Sequence, residues 1–159
     1  MAATIWKTVI LPMNWNRWRT RRLTGGWMFI LEAAACRCLQ DLEILEPDWL
    51  ALLKQWEQAP ELPGFAPQDP EKLERIAVYF AFRYLLKAVN DGDLLGRAQF
   101  CALGVLVTDR LSRFVGLPEA LRLFSREIEH NEDNLDTLLE QFWQTEGLSL
   151  SALLAAFGG

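Results

Sequence analysis

The stretch from Asp69 to Asp93, DPEKLERIAVYFAFRYLLKAVNDGD, constrains the fold more than any other part of the chain. Asp69 is placed to cap a helix, and Pro70 fits its first turn, where the missing N–H costs nothing. Apolar residues then recur at the spacing of one helical face: Leu73, Ile76, Ala77, Phe80, Tyr84 and Ala88. A second apolar set widens that face nearly all the way round: Val78, Phe82, Leu85, Leu86 and Val89. We therefore expect neighbours to bury this helix on several sides.

One stripe of the same helix stays polar, with members four residues apart: Glu71, Arg75, Tyr79, Arg83 and Lys87. An apolar helix with a single cationic stripe is typical of the central helix of a bundle or of the floor of a site, and the pattern leaves both open. Gly92 supplies the left-handed conformation that a helix terminus favours, and Asp93 is placed to cap the next helix.

The rest of the chain also has helical periodicity. It predicts helices over residues 27–45, 94–115, 118–129 and 149–157, and two more that begin after Pro47 and after a cap at Asn131. In the helix after Pro47, the residues expected to be buried are Trp49, Leu52, Leu53 and Trp56. The helix over 94–115 is apolar on every side and should be the most buried, with Gly96 and Gly104 allowing another helix to approach closely. No period-two strand pattern is present. We predict that residues 27–159 form a single-domain, all-α bundle of about six or seven helices.

Residues 1–26 form a basic arm, in which the run NWNRWRTRR interleaves tryptophan and arginine. Such a run could contact nucleic acid or an anionic surface. A disordered arm, an edge helix, or a start separated from its natural upstream sequence are the alternatives, and we favour them. The net charge of −5 argues against general phosphate-backbone binding, so no nucleic-acid partner is expected.

The three cysteines, Cys36, Cys38 and Cys101, suit a reducing compartment better than a disulfide framework. With His130 as the single histidine, they fall short of a closed metal site, and we expect buried thiols and no metal ligands. No run reaches the roughly 20 apolar residues of a bilayer helix, so we expect a cytoplasmic protein without a membrane span.

Two polar clusters are candidates for a site. The first combines the cationic stripe, including Tyr79 and Arg83, with Asp91, Asp93 and Arg97. Cations on a buried helix could hold a carboxylate or phosphate, and the aspartates could hold an amine or a hydroxyl. The alternative, which we favour from the residues alone, is that Arg83 or Arg97 pairs with an aspartate and holds the helical hairpin together, while Arg75 and Lys87 are solvated.

The second cluster is the segment SREIEHN over residues 125–131, at the junction of two helices. His130 is the side chain whose ordinary pKa lies nearest neutrality, which makes it the natural candidate for acid–base chemistry. The alternative, again favoured, is that His130 interacts with a helix C-terminus while Glu129 or Asn134 satisfies its ring nitrogens.

Three segments together resemble the C-terminal part of the bacterial flagellin lysine-N-methylase family. They are LEILEPDWLALL, ERIAVYFAFRYLLKAVNDGDLLGRAQF and SREIEHNEDNLDTLL, in the same order, and the likeness runs from about Cys38 to Phe142. The resemblance implies a cytoplasmic protein-lysine methyltransferase that uses S-adenosylmethionine and acts on flagellin. It implies catalytic roles for Tyr79, Asp91, Asp93, Glu129 and His130, and cofactor contacts for Arg83 and Arg97.

Members of that family also carry an N-terminal cysteine cluster, thought to bind an iron–sulfur or other metal centre. Cys36, Cys38 and Cys101 do not reproduce it, so we expect the chain to correspond to the helical portion alone. The competing hypothesis is a non-catalytic, all-α protein-interaction module or a truncated remnant. Convergence of the polar candidates on one pocket would favour a site, whereas scattered ion pairs would favour the module.

Overall fold

The computed structural model describes residues 26–59 and 68–158, and every regular element in those residues is helical. The predicted arm therefore lies outside the described residues apart from Gly26. Seven helices of eight or more residues are present in the described part: α1 Gly26–Asp41, α2 Pro47–Gln58, α3 Pro70–Tyr84, α4 Leu94–Val115, α5 Leu117–Phe124, α6 Glu132–Gln144 and α7 Leu150–Gly158. Shorter turns lie at Leu85–Lys87, Ala88–Asp91, Ser125–Glu129 and Glu146–Leu148. The predicted all-α bundle is confirmed.

Helix α3 begins as predicted, because the Asp69 carboxylate accepts a hydrogen bond of 3.1 Å from the backbone N–H of Lys72. Its first apolar face is buried as expected, from Leu73 to Tyr84. The helix does not run unbroken to Asp91, since a 3₁₀ turn over Leu85–Lys87 separates it from the last helical turn. Gly92 then ends the segment with φ of 75°, a conformation that L side chains rarely adopt.

The prediction that neighbours bury α3 on several sides is wrong. Val78 is 38% exposed, Phe82 64%, Leu86 56% and Val89 85%, and Leu85 is only partly buried. The reason is that α3 packs mainly against one long helix, α4, so its opposite side faces solvent. Sequence periodicity counts apolar positions but does not count the neighbours available to cover them.

Helix α4 is the central element, buried from Leu103 to Ser112 without interruption. A Cβ on Gly104 would lie 3.0 Å from the Phe80 ring, which confirms that this glycine admits close approach of α3. A Cβ on Gly96 would instead meet the side chain of Asp93, so the same prediction is wrong for Gly96. Asp93 caps α4 as expected, accepting a 2.8 Å hydrogen bond from the Gly96 N–H.

Four aromatic rings join α3, α4 and α5 in the core. Phe80 packs edge-on against Phe100 and Phe124, with centroids 6.2 and 5.6 Å apart. Tyr84 packs edge-on against Phe100 with a centroid distance of 4.6 Å. This packing fixes the C-terminal end of α3 relative to the segment that follows α5.

The segment after α5 changes its hydrogen-bond pattern. Ser125–Glu129 forms a π-helical turn, in which the N–H of His130 donates to the Ser125 carbonyl at 2.9 Å. One continuous helix was predicted up to Glu129, so this interruption is a difference. Asn131 caps α6 as predicted, accepting a 3.1 Å hydrogen bond from the N–H of Asn134. None of the helices in the described ranges combines the length and apolarity that crossing a bilayer requires.

Candidate functional site

Glu129, the last residue of the π-helical turn, contacts three polar side chains of α3 and is the centre of the group that they form. Its side chain is 5% exposed. One carboxylate oxygen, Oε1, accepts hydrogen bonds from the Tyr79 hydroxyl at 2.9 Å and the Tyr84 hydroxyl at 2.8 Å. Arg83 Nε lies 3.4 Å from the same oxygen. We call Tyr79, Arg83, Tyr84 and Glu129 the tyrosine–glutamate cluster.

The two tyrosines reach this carboxylate from different environments. Tyr84 is 1% exposed and held by the aromatic core, whereas Tyr79 is 44% exposed. The Tyr84 hydroxyl donates to Glu129 and accepts a 3.2 Å hydrogen bond from Arg83 Nε. The carboxylate is thus fixed from the core side and remains close to solvent on the Tyr79 side.

Cations already lie over both tyrosine rings. The Arg83 guanidinium carbon is 5.9 Å from the Tyr79 ring centroid and 5.8 Å from that of Tyr84. The ammonium of Lys87 is 5.3 Å from the Tyr84 centroid. These distances lie within the roughly 6 Å at which a ring quadrupole attracts a cation. The rings and the carboxylate therefore hold two cationic side chains of this chain, Arg83 and Lys87.

Burial, followed by the hydrogen bond to the Glu129 carboxylate, raises the pKa of both Tyr79 and Tyr84 above the usual range. Both hydroxyls consequently stay protonated near neutral pH and act as donors. All these contacts involve Oε1 of Glu129. Its second oxygen, Oε2, accepts no hydrogen bond from the described residues. That oxygen can accept a hydrogen bond from a ligand.

Of the site residues predicted from sequence, the structure brings Tyr79, Arg83 and Glu129 together. Tyr84 was missed, because its spacing placed it on the apolar face of α3. The missed signal was that Tyr79 and Tyr84 are the only two tyrosines in the chain.

Asp91 and Arg97 form a separate ion pair, with Arg97 Nη2 2.7 Å from Asp91 Oδ2. This pair joins the turn before α4 to the first turn of α4, as the structural alternative predicted. Asp93 serves as the helix cap. No hydrogen bond or ion pair among the described residues connects these three side chains to the tyrosine–glutamate cluster.

His130 is exposed, and its imidazole makes no hydrogen bond or ion pair within the described part of the chain. The expected partners are used elsewhere: Glu129 contacts the tyrosines, and the Asn134 amide donates to the carbonyls of Glu43 and Glu127 at 2.8 and 2.9 Å. The expectation that Glu129 or Asn134 satisfies the ring of His130 is therefore wrong.

Glu127 belongs to the cluster over residues 125–131, but the sequence analysis assigned it no role of its own. It is fully buried, and its carboxylate accepts hydrogen bonds from the backbone N–H groups of Leu45 and Glu46 at 3.0 and 2.6 Å. Asn134 accepts a further 3.0 Å hydrogen bond from the N–H of Glu43. Glu127 and Asn134 thereby fix the loop between α1 and α2, which is a structural role.

A cavity of about 410 Å³ lies among α1, α2 and the C-terminal half of α4. Arg110, 1% exposed, contributes to its wall and donates from Nε to Glu32 Oε1. Asp109 lies beside this pair, with Oδ2 3.5 Å from Arg113 Nη2. Replacing a buried ion pair by apolar residues is often neutral or stabilising, so this network is weak support for stability. Sequence reasoning did not identify it.

The three cysteines are free and buried, as predicted. Burial raises the pKa of the Cys38 thiol to about 11 and that of Cys101 to about 12. Such thiols are protonated and unreactive near neutral pH. Within the described ranges, no three acidic, histidine or cysteine side chains are grouped as metal ligands.

The two arginines expected to contact S-adenosylmethionine do not form a common cradle. Arg83 lies against Glu129, and Arg97 lies against Asp91. Each guanidinium thus already faces a carboxylate of this chain, and the two stand at separate positions. The residues present fit recognition of a cationic side chain better than recognition of this cofactor's carboxylate. Comparisons with protein-family models, curated proteins and solved structures give no match for this chain.

Proposed function

We propose that this chain is the helical portion of a flagellin lysine-N-methylase-like protein, and that the tyrosine–glutamate cluster recognises a lysine side chain. The observation that carries the proposal is the arrangement of Glu129. Two tyrosine hydroxyls donate to its Oε1 and Arg83 forms an ion pair with the same oxygen, while its Oε2 accepts nothing from the described residues. A nearly buried carboxylate, fixed in this way beside two aromatic rings, suits an ammonium group.

A bound lysine would use each part of the cluster differently. Its ammonium group would donate a charge-assisted hydrogen bond to Glu129 Oε2, and its apolar stem would pack along the exposed Tyr79 ring. Tyr79 and Tyr84 would hold the carboxylate in position. A lysine side chain is nucleophilic only as the neutral amine, and Glu129 would accept its proton within the cluster, since the tyrosine hydroxyls stay protonated.

In such a protein, S-adenosylmethionine supplies the methyl group and flagellin supplies the lysine, so the proposal places the reaction in the bacterial cytoplasm. The cluster accounts for the lysine side of the reaction alone. Asp91 and Asp93 have no role in it, because Asp91 pairs with Arg97 and Asp93 caps α4. The proposal assigns no role to His130, which makes no hydrogen bond or ion pair with the cluster among the described residues.

Isothermal titration calorimetry with a lysine-containing flagellin fragment tests the proposal, with S-adenosylmethionine titrated separately. We expect the fragment to bind the natural chain and to lose at least about tenfold in affinity with Glu129→Gln, because the substitution removes the charge that holds the ammonium group. Asp91→Asn is the matched control, since it makes the same chemical change at the separate ion pair. Absence of heat with the natural chain, or equal losses in both variants, would contradict lysine recognition by the cluster.

A second candidate function, a non-catalytic interaction module, is favoured by one specific observation. Four large apolar side chains lie exposed on one side of α3 and the turns that follow it. Exposed apolar side chains at neighbouring positions of a helix are typical of a surface that contacts another segment or another protein.

A further inference from the structure

Lys87 lies at the end of the turn that follows α3, and its ammonium group is 5.3 Å from the centre of the Tyr84 ring. The turn over Leu85–Lys87 is 3₁₀-helical. In a 3₁₀-helix the side chains of residues i and i+3 lie in line, whereas in an α-helix they are offset around the axis. The local change of helix type therefore places Lys87 over the ring of Tyr84, which precedes it by three residues.

The two cations beside the tyrosine–glutamate cluster are held to different degrees. Arg83 lies 3.4 Å from the Glu129 carboxylate and also donates a hydrogen bond to the Tyr84 hydroxyl. Lys87 is exposed, and the Tyr84 ring is the one partner that its ammonium group has among the described residues. A single cation–π contact at an exposed position is weak. Arg83 is thus a fixed part of the cluster, whereas Lys87 is a cation that can leave it.

The carboxylates near Lys87 are engaged by other cations. Asp91, four residues later, is the acidic residue nearest to Lys87 along the chain, and it pairs with Arg97 at 2.7 Å. Glu129 is engaged by Arg83 and by the tyrosine hydroxyls. The ammonium group of Lys87 therefore rests on an aromatic ring and on no carboxylate of the described residues. An aromatic ring offers the same attraction to an ammonium group of another protein.

We infer that Lys87 is a tethered competitor for the proposed lysine site. In the free chain its ammonium group lies on the Tyr84 ring, and a lysine from another protein must displace it. The inference rests on the proposed function and adds to it a contact that limits binding. Tyr84 links the two positions, because its ring carries Lys87 while its hydroxyl holds Glu129. An ammonium group at Glu129 Oε2 and that of Lys87 would repel each other across this one side chain.

The first test observes Lys87 in the free chain by nuclear magnetic resonance. The lysines of the chain are Lys7, Lys54, Lys72 and Lys87, so a carbon-13 lysine label gives a spectrum that substitutions can assign. We expect the Tyr84 ring to shift the ε-methylene signal of Lys87 upfield. Lys54 is the matched control, since it is exposed on α2 and contacts no ring among the described residues. An ordinary shift for Lys87 would overturn the inference, whether or not a lysine binds.

The second test is isothermal titration calorimetry with the lysine-containing flagellin fragment. We expect Lys87→Met to bind the fragment about two- to fivefold more tightly than the natural chain does, which is the factor that one exposed cation–π contact corresponds to. Lys54→Met should bind as the natural chain does. If the natural chain binds and Lys87→Met binds no more tightly, the inference is overturned and the proposed function stands. Absence of binding by the natural chain and both variants would contradict the proposed function, and the inference would fall with it.

Salt distinguishes displacement of Lys87 from repulsion at a distance. The Debye length falls from about 10 Å at 0.1 M salt to about 3 Å at 1 M, so long-range repulsion between ammonium groups is screened as salt is raised. A contact that must be broken remains. We expect the advantage of Lys87→Met to stay about two- to fivefold at about 0.5 M salt, with circular dichroism melts showing that each variant is folded. An advantage that disappears in salt would overturn the inference.

Discussion

Glu127 and Glu129 lie two residues apart in the π-helical turn, and the structure predicts opposite consequences for the same substitution at each. Glu127→Gln replaces one carboxylate oxygen by an amide group at a fully buried position where both oxygens accept backbone N–H groups. The amide NH2 group of the new glutamine then faces the backbone N–H of Leu45 or of Glu46, which loses its acceptor. We expect Glu127→Gln to destabilise the fold while leaving the tyrosine–glutamate cluster chemically unchanged.

The magnitude follows from the number of hydrogen bonds lost. A buried donor left without an acceptor costs about 1–3 kcal/mol. Glu127→Gln leaves one such donor and should therefore lower the free energy of unfolding by about 1–3 kcal/mol. Glu127→Ala leaves two, and we expect about 2–4 kcal/mol because water reaches part of this loop. Urea unfolding followed by circular dichroism measures both values, with an unchanged m-value as the condition for comparing midpoints.

Glu129→Gln is the isosteric control. The amide oxygen can still accept from Tyr79 and Tyr84, and the new amide nitrogen takes the position of Oε2, which accepts no hydrogen bond from the described residues. We expect a loss of stability below about 1 kcal/mol. Equal unfolding midpoints for Glu127→Gln and Glu129→Gln would refute the assignment of a structural role to one residue and a recognition role to the other.

Two further predictions concern the same helices. The only tyrosines of the chain are Tyr79 and Tyr84, so a near-ultraviolet tyrosinate titration reports the cluster alone. Both hydroxyls should ionise above the usual tyrosine pKa of about 10. Glu129→Gln should lower the pKa of both hydroxyls, because it removes the negative charge beside them. Because folding raises the pKa of both tyrosines, their protonated hydroxyls stabilise the fold below about pH 10, and this stabilisation is lost as pH rises through the pKa of the folded state. Titration of both tyrosines at the ordinary pKa would contradict this prediction. Gly104→Ala should cost about 1–3 kcal/mol, because the new Cβ would lie 3.0 Å from the Phe80 ring, and an unchanged melting temperature would contradict the close approach.

Local signals in the sequence predicted most of the fold. The caps at Asp69, Asp93 and Asn131 lie where they were expected, because each needs only a short side chain and a backbone N–H three residues later. The end of α1 was not predictable in this way. Helical periodicity continued to Leu45, but α1 ends at Asp41. The backbone N–H groups beyond it bond to Glu127 and Asn134, which are more than eighty residues away in sequence.

The candidate site was predictable only in part, for a similar reason. Tyr79 and Arg83 were recognised by their shared stripe, and Glu129 by its motif. No pattern in the sequence shows that Glu129 reaches across to α3, because that contact depends on how α5 and its π-helical turn pack against α3. Tyr84 was assigned to the core by its spacing, and it is in the core, yet its hydroxyl extends to the carboxylate.

The π-helical turn explains how one short segment serves both the fold and the proposed site. Side chains two residues apart point to different sides of a helical turn, so Glu127 faces the loop after α1 while Glu129 faces α3. Holding Glu127 in the core therefore also fixes where Glu129 is presented. π-helical turns occur frequently at functional sites, and here the turn allows a structural carboxylate to position a second carboxylate that is partly free. Loss of Glu127 should consequently weaken the proposed lysine binding only as far as it disorders the turn, whereas loss of the Glu129 charge should weaken that binding in a fully folded chain.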